Sequence, residues 1–179
     1  MDVAAQVVDF WKEAGPAKWF ARDDAFDAQF RQLFLDEHFA AASRGREHWL
    51  GSAEGALALM LLLDQFPRNC FRGTAHSYAT DGLARHYAMR AIEEGLDLQL
   101  VPKLRAFIYL PFEHSEDPLD QDRSVAMFDV LGDKEYLQYA ELHRDIIRRF
   151  GRFPHRNAVL GRIPSPEELD YLAEGGFAG

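Results

Sequence analysis

Residues 57–74 read LALMLLLDQFPRNCFRGT, an apolar run that gives way abruptly to a dense polar segment. Leu57, Leu59, Met60, Leu61, Leu62 and Leu63 cover every face of a helix, and a helix that is apolar all round is buried rather than amphipathic. The run is far too short to span a bilayer. Pro67 is expected to push Phe66 out of helical dihedrals and end the helix there. Asp64 then falls in the last turn, where the macrodipole disfavours an acid. A carboxylate there needs a cation, and Arg68 and Arg72 are the nearest. A charged knot leaving the most buried helix breaks the local rules, and such breaks tend to mark sites. The competing interpretation is an ion-pair cluster that only closes the helix end.

The chain has 179 residues, 47% of them hydrophobic and 13% aromatic, which suits one folded domain spanning residues 1–179. The formal net charge of −9 disfavours nucleic acid or an anionic membrane as partner, because the overall field repels phosphate. The basic residues are 16 Arg against 4 Lys, so planar, bidentate recognition of anions is favoured over point charges. The single cysteine, Cys70, excludes an internal disulfide and fits a reducing cytoplasm. Arginines near Cys70 suggest an activated thiol; a small buried hydrophobe is the preferred reading. The opening MDVAAQVVDFWKEAG is acidic and does not read as a signal peptide.

The remainder reads as helices with short connections. Residues 3–14 form a helix with Val7 or Val8 and Trp11 on one face, stopped by Gly15-Pro16, and Trp19-Phe20 anchors the loop after it. Asp23 or Asp24 caps a helix to about Arg44, with Phe26, Phe30, Leu33 or Phe34 and Phe39 facing inward. Ser52 caps the central helix. A helix reaches Glu94 with Leu83, Tyr87 and Ala91 as its stripe and Gly95 after it. Pro102 opens residues 103–110, which Pro111 ends. Asp117-Pro118 opens a helix to about Leu131, Asp133 caps residues 134–150, and Ser165-Pro166-Glu167-Glu168 is a capping box. No stretch alternates with period two, so no strand is expected. Seven or eight helices make an all-α domain, either a bundle or a right-handed stack of helical hairpins.

Three polar segments lie at helix ends. The first holds Asp64, Gln65, Arg68 and Asn69, with Arg72 just beyond. The second is Glu113-His114-Ser115-Glu116-Asp117. The third runs from Arg149 through Arg152 to His155-Arg156-Asn157, and its Phe-Pro-His-Arg-Asn echoes the Phe-Pro-Arg-Asn of the first. The second segment suits general-base work or a divalent cation, although capping alone accounts for Glu116 and Asp117. There is no HExxH, no paired CxxC and no Gly-rich phosphate loop, so neither metal nor cofactor is expected. His143 sits on the Tyr136, Tyr139, Ile146, Phe150 stripe and reads as a hydrogen-bonded core histidine. Asp145 and Arg149, four apart, are placed to pair. Arg144 and Arg148 read as a solvated face, while Arg149, Arg152 and Arg156 surround a turn whose phenylalanines fix their direction.

Together, Val8-Asp9-Phe10-Trp11, Trp19-Phe20, the Asp-Gln-Phe-Pro-Arg-Asn run from Asp64, Tyr109-Leu110-Pro111-Phe112 with His114-Ser115-Glu116-Asp117, and His143-Arg144-Asp145 through Asn157 resemble the bacterial family called domain of unknown function 924. The resemblance covers about Val8 to Leu172. It implies a tetratricopeptide-like stack of helical hairpins and no established activity. It also places Cys70 where the family usually has an aliphatic residue, which counts further against a nucleophile.

Two functions are expected to compete. One is a binding module whose concave face presents Arg68, Arg72, Arg149, Arg152 and Arg156 to a small anion or acidic peptide. In that reading the ligand set comprises Asp64, Gln65, Arg68, Asn69, Arg72, Glu113, His114, Ser115, Asp117, Arg149, Arg152, His155, Arg156 and Asn157. The other is a small hydrolase or transferase, with His114 or His155 as base and Glu113, Asp117 or Asp64 as its partner. RNA binding rests only on the arginine excess and a few aromatics, and net acidity opposes it. If the three polar segments form one site, they should meet in space.

Overall fold

The computed structural model describes residues 2–179. Among these residues there is no strand; the helices are α1 (Val3–Ala14), α2 (Pro16–Trp19), α3 (Asp24–Ala42), α4 (Ala53–Met60), α5 (Phe66–Cys70), α6 (Asp81–Glu93), α7 (Pro102–Glu113), α8 (Pro118–Leu131), α9 (Lys134–Phe150) and α10 (Pro166–Ala173). Eight of them have eight residues or more, and α2 and α5 are single turns. The chain folds as two compact units. One comprises the chain up to Arg72 together with His76–Pro111, and the other comprises Gly73–Ala75 and Phe112–Gly179.

Most helix starts follow from side-chain capping. The carboxylate of Asp23 accepts from the N–H groups of Ala25 and Phe26, Ser52 Oγ accepts from Gly55, Asp117 from Leu119, and Asp133 from Glu135 and Tyr136. Ser165 and Glu168 make the reciprocal capping box. Gly132 closes α8 at φ 79°, a left-handed position where any side chain is strained.

The first unit is cored by the apolar run: Leu57 to Leu63 are all 0% exposed. They are joined by an aromatic cluster of Phe10, Trp11, Phe26, Phe30 and Phe66. Phe34 is buried as expected, but Phe39 is 47% exposed. Trp19 is buried at the end of α2 rather than in a loop, and its indole N–H donates to the Trp11 carbonyl at 2.7 Å. On α6 the inner face is Ala84, Tyr87, Ala88 and Ala91, with Leu83 half-buried beside it.

Pro67 does not end the central helix. Phe66 keeps helical dihedrals (φ −53°, ψ −47°), and α4 runs through a π turn, Leu61–Gln65, directly into α5. The backbone accounting explains how. The Phe66 N–H reaches back five residues to the Leu61 carbonyl, and proline has no N–H to give to Leu62 or Leu63. Tertiary donors replace it. His38 Nδ1 lies 2.8 Å from the Leu62 carbonyl, and Thr80 Oγ1 donates to the Leu63 carbonyl. Pro111 likewise lies inside α7, which continues to Glu113 instead of stopping at Leu110. The local penalty of a proline is overridden twice.

The second unit is built on the α8–α9 hairpin, with α10 and the connections around it. Ile146, Ile147 and Phe153 form its buried core, and Phe150, Tyr171 and Phe177 pack against it. Among the described residues, no helix is long and apolar enough to cross a membrane.

Candidate functional site

In the first unit, the π turn drops Asp64 into the core at 0% exposure. Arg68 follows one turn later. Its Nη1 lies 3.0 Å from Asp64 Oδ1 and donates to the Asp64 carbonyl, while Nη1 and Nη2 both donate to Asp81 at 2.9 and 3.0 Å. Gln65 Nε2 donates to Asp64 Oδ2 at 2.7 Å. Burial works against the Arg68 charge, but Asp64 and Asp81 outweigh it and hold the guanidinium above its ordinary range. Asp64 therefore has its cation, and that cation is Arg68 rather than Arg72. Arg72 donates instead to Asp27 Oδ2, and Asn69 Nδ2 donates to Asp27 Oδ1. Cys70 Sγ donates to the Asp27 carbonyl at 3.6 Å, and burial with Asp27 close by pushes its thiol up to about 12. A thiol held protonated is a packing residue, not a nucleophile. All five residues singled out in the first segment and its flank are thus tied into carboxylate networks of their own unit.

In the second unit, the second and third polar segments interlock. The carbonyls of three consecutive residues are the hub. Gln121 Nε2, from α8, donates to the carbonyls of Glu113 and Ser115 at 2.6 and 2.7 Å. Arg156 Nη2 donates to the His114 carbonyl between them at 3.0 Å. Ser115 Oγ donates to Asp120 and accepts from the Asp117 N–H. Asp117 itself is an exposed cap. Glu116, expected to serve the helix start, instead takes both Nη atoms of Arg162 and the Phe153 N–H. Burial would raise its pKa; Arg162 and that N–H draw it below the usual range.

Around this hub lie the titratable rings. His143 is 5% exposed; its Nδ1 is 2.8 Å from the Tyr139 carbonyl and 3.4 Å from Glu113 Oε1. This is the hydrogen-bonded core histidine the stripe implied. Its ring centre lies 6.3 Å from that of His114. Burial first, and then His114, Arg156 and His155, push the His143 imidazole down to about 3. The guanidinium of Arg156 lies 4.4 Å from the Phe153 ring centre, and Phe153 touches both His143 and His155.

The other arginines of this unit are taken by carboxylates. Arg152 grips Glu168 at 2.6 and 2.7 Å and so holds its carboxyl down to about 2, with the Asn157 side chain contributing. Arg149 is half-exposed and pairs with Glu167 across the Phe150 and Tyr171 rings. The expected pairing of Asp145 with Arg149 does not form: Asp145 faces Arg144 at 3.6 Å. Arg148 pairs with Asp122 on the exposed face.

Sequence reasoning missed Gln121, Ser124 and Phe177. Gln121 and Ser124 carried no local signal, yet both are 0% exposed, and Gln121 Oε1 and Ser124 Oγ have no hydrogen-bond partner among the described residues. Buried polar atoms of this kind mark places where water or a ligand group belongs. Glu168 was legible only as a cap; its grip on Arg152 comes from the fold. No group of three or more His, Cys, Asp or Glu side chains that could hold a metal ion occurs among the described residues.

A family model described as a bacterial protein of unknown function (DUF924) matches residues 7–176. A solved structure of a protein of unknown function from Agrobacterium tumefaciens is similar at a TM-score of 0.94, with 58% identity, over 97% of this chain and 98% of that one. Among curated proteins, none matches.

Proposed function

Since the chain belongs to the DUF924 family of bacterial proteins of unknown function, we propose from its own residues that it is a binding module for a small anion, held in the second unit by Arg156 with His114 and His155. The observation that carries this reading is the burial of Arg156, 6% exposed, against the His114 carbonyl and the Phe153 ring, which also meets His143 and His155. Arginine cannot shed its proton, so Arg156 itself stays a cation at every working pH. Glu113, whose Oε1 lies 3.4 Å from His143 Nδ1, completes the proposed ligand set together with Ser115 and Asn157, which follow His114 and Arg156 in the chain. Arg68, Arg72, Arg149 and Arg152 lie outside the narrowed set: they meet Asp64, Asp27, Glu167 and Glu168. A helical-hairpin stack of tetratricopeptide type, acting in the cytoplasm, is the setting we favour. It is supported by the α8–α9 hairpin that frames the site.

The hydrolase or transferase alternative takes His114 or His155 as base with Glu113, Asp117 or Asp64 as partner. Asp117 is an exposed helix cap, Asp64 is paired with Arg68 in the first unit, and Glu113 lies beside His143, which leaves binding the better-supported function.

The test is a thermal-shift and calorimetric series with phosphate, sulfate, acetate and citrate at fixed ionic strength. Wild type should gain melting temperature with at least one anion by mass action. Arg156→Lys, which keeps the charge and loses the bidentate fork, should lose most of that gain. Arg152→Lys, at a satisfied ion pair, should keep it. If no anion shifts wild type, or Arg156→Lys responds as wild type does, the cluster is structural.

A further inference from the structure

Helix α9 has two faces. Ala140, His143, Ile146 and Ile147 are buried, whereas Glu135, Gln138, Tyr139, Leu142, Asp145 and Arg149 are exposed. Glu135, Leu142 and Arg149 stand seven residues apart, close to two full turns, so the three lie in one line along the helix. Gln138 and Asp145 run beside that line on one side and Tyr139 on the other. Tyr139 is 48% and Leu142 39% exposed. A depression of about 580 Å³ on this face is lined by Lys134, Glu135, Gln138, Tyr139 and Leu142.

The charged end of the line is already oriented. Arg149 Nε donates to Glu167 Oε1 at 3.0 Å, and the guanidinium lies 4.6 and 5.6 Å from the ring centres of Phe150 and Tyr171. Its two Nη groups have no hydrogen-bond partner among the described residues. Among the same residues, the side chains of Glu135 and Gln138 make no hydrogen bond or ion pair. An acid at one end, a cation at the other and a leucine midway form an order that complements its own reverse. A twofold axis at Leu142 lays a second α9 antiparallel to the first. Leu142 then meets the partner's Leu142, and Gln138 comes beside the partner's Asp145. Glu135 comes opposite the partner's Arg149, about 10 Å from the axis at either end. A parallel copy would set acid on acid and cation on cation, which is unfavourable. Tyr139, a residue type enriched at interfaces, covers the central leucines from the side.

We infer that this face of α9 is the contact surface of a homodimer, two copies packed antiparallel about Leu142 with a Glu135–Arg149 ion pair between chains at each end. It uses neither Arg156 nor the imidazoles, so it stands or falls independently of the anion reading.

Sedimentation equilibrium of the full chain from about 1 to about 300 µM tests it. Wild type should show monomer and dimer in exchange, as a contact at the small end of specific interfaces does. Leu142→Asp should leave monomer alone, with wild-type ellipticity and melting at low concentration. Glu135→Arg and Arg149→Glu should each weaken dimerisation by at least about tenfold. An equimolar mixture of those two variants should dimerise, because each chain supplies the charges the other lacks, and the double variant should dimerise with itself. A wild type that stays monomeric across the range overturns the inference. So does a dimer that survives Leu142→Asp, which would put the contact elsewhere. A mixture of the single variants that stays monomeric, with both folded, overturns the pairing of Glu135 with Arg149 and the antiparallel register with it.

Discussion

Asp64 shows both what one residue reveals in sequence and what it conceals. An acid in the final turns of an all-apolar helix had to have a cation, and the choice lay between two arginines. The π turn decides it, because it carries Asp64 and Arg68 to the same side while Arg72 swings toward Asp27. The second acid on Arg68, Asp81, lies 13 residues on in another helix and had no signature. Breaking a buried pair costs more than the pair contributes, because the partner is left charged and dry. Asp64→Ala should therefore destabilise by about 3 kcal/mol, read from the denaturant midpoint. The double variant Asp64→Ala with Arg68→Met should recover part of that loss. A double variant as unstable as the sum of its singles would show that the two do not act as a pair.

Helix starts were legible because capping is local: Asp23, Ser52, Asp117, Asp133 and Ser165 each bond N–H groups two or three residues away. Pro67 and Pro111 were misread for the opposite reason. A proline breaks a helix only where its orphaned carbonyls find no donor, and here the donors come from His38 and Thr80, in other elements. His38 is itself held by His76, Nε2 to Nε2 at 2.8 Å, so the bulge is wired to the turn at Ala75–Tyr78. His38→Ala should cost about 1–3 kcal/mol through an unpaired buried carbonyl, besides the packing it loses. In Pro67→Ala the restored N–H can take over one carbonyl, so His38→Ala should cost less in that background. Equal costs in both backgrounds would separate His38 from the bulge. Leu61→Ala, at 0% exposure in the same element, should lose about 2–5 kcal/mol; a loss below about 1 kcal/mol would make this helix peripheral.

For the whole molecule, the all-α class followed from periodicity, but the division into two units did not, because no linker or composition shift marks it. The candidate site was half legible. Its histidines and Arg156 lie in contiguous motifs, whereas Arg162 reaches Glu116 across 46 residues and Gln121 reaches Glu113 from another helix. The two units also differ in how acid should act on them. In the second, His143 is neutral when folded, with its pKa lowered from 6.5 to about 3. The unfolded chain protonates first, so the stability this residue contributes is present above 6.5 and is lost as pH falls from 6.5 toward 3, at about 1.4 kcal/mol per unit. Glu168, held down to about 2 chiefly by Arg152, adds a contribution that is present above 4.5 and lost between 4.5 and 2. Glu116 acts in the same direction. In the first unit His38 is lowered as well, mainly by burial, with its hydrogen bond to the Leu62 carbonyl opposing that shift. The second unit should therefore open first on acidification. Amide exchange followed from pH 6.5 downward should show residues 140–147 of α9 losing protection at a higher pH than residues 57–63 of α4. Tryptophan emission, which reports only the first unit through Trp11, Trp19 and Trp49, should change later than far-ultraviolet ellipticity. His143→Leu, neutral at every pH, should bring the two transitions closer together. If both units lose protection together in wild type, the buried histidine does not set the acid limit of the second unit.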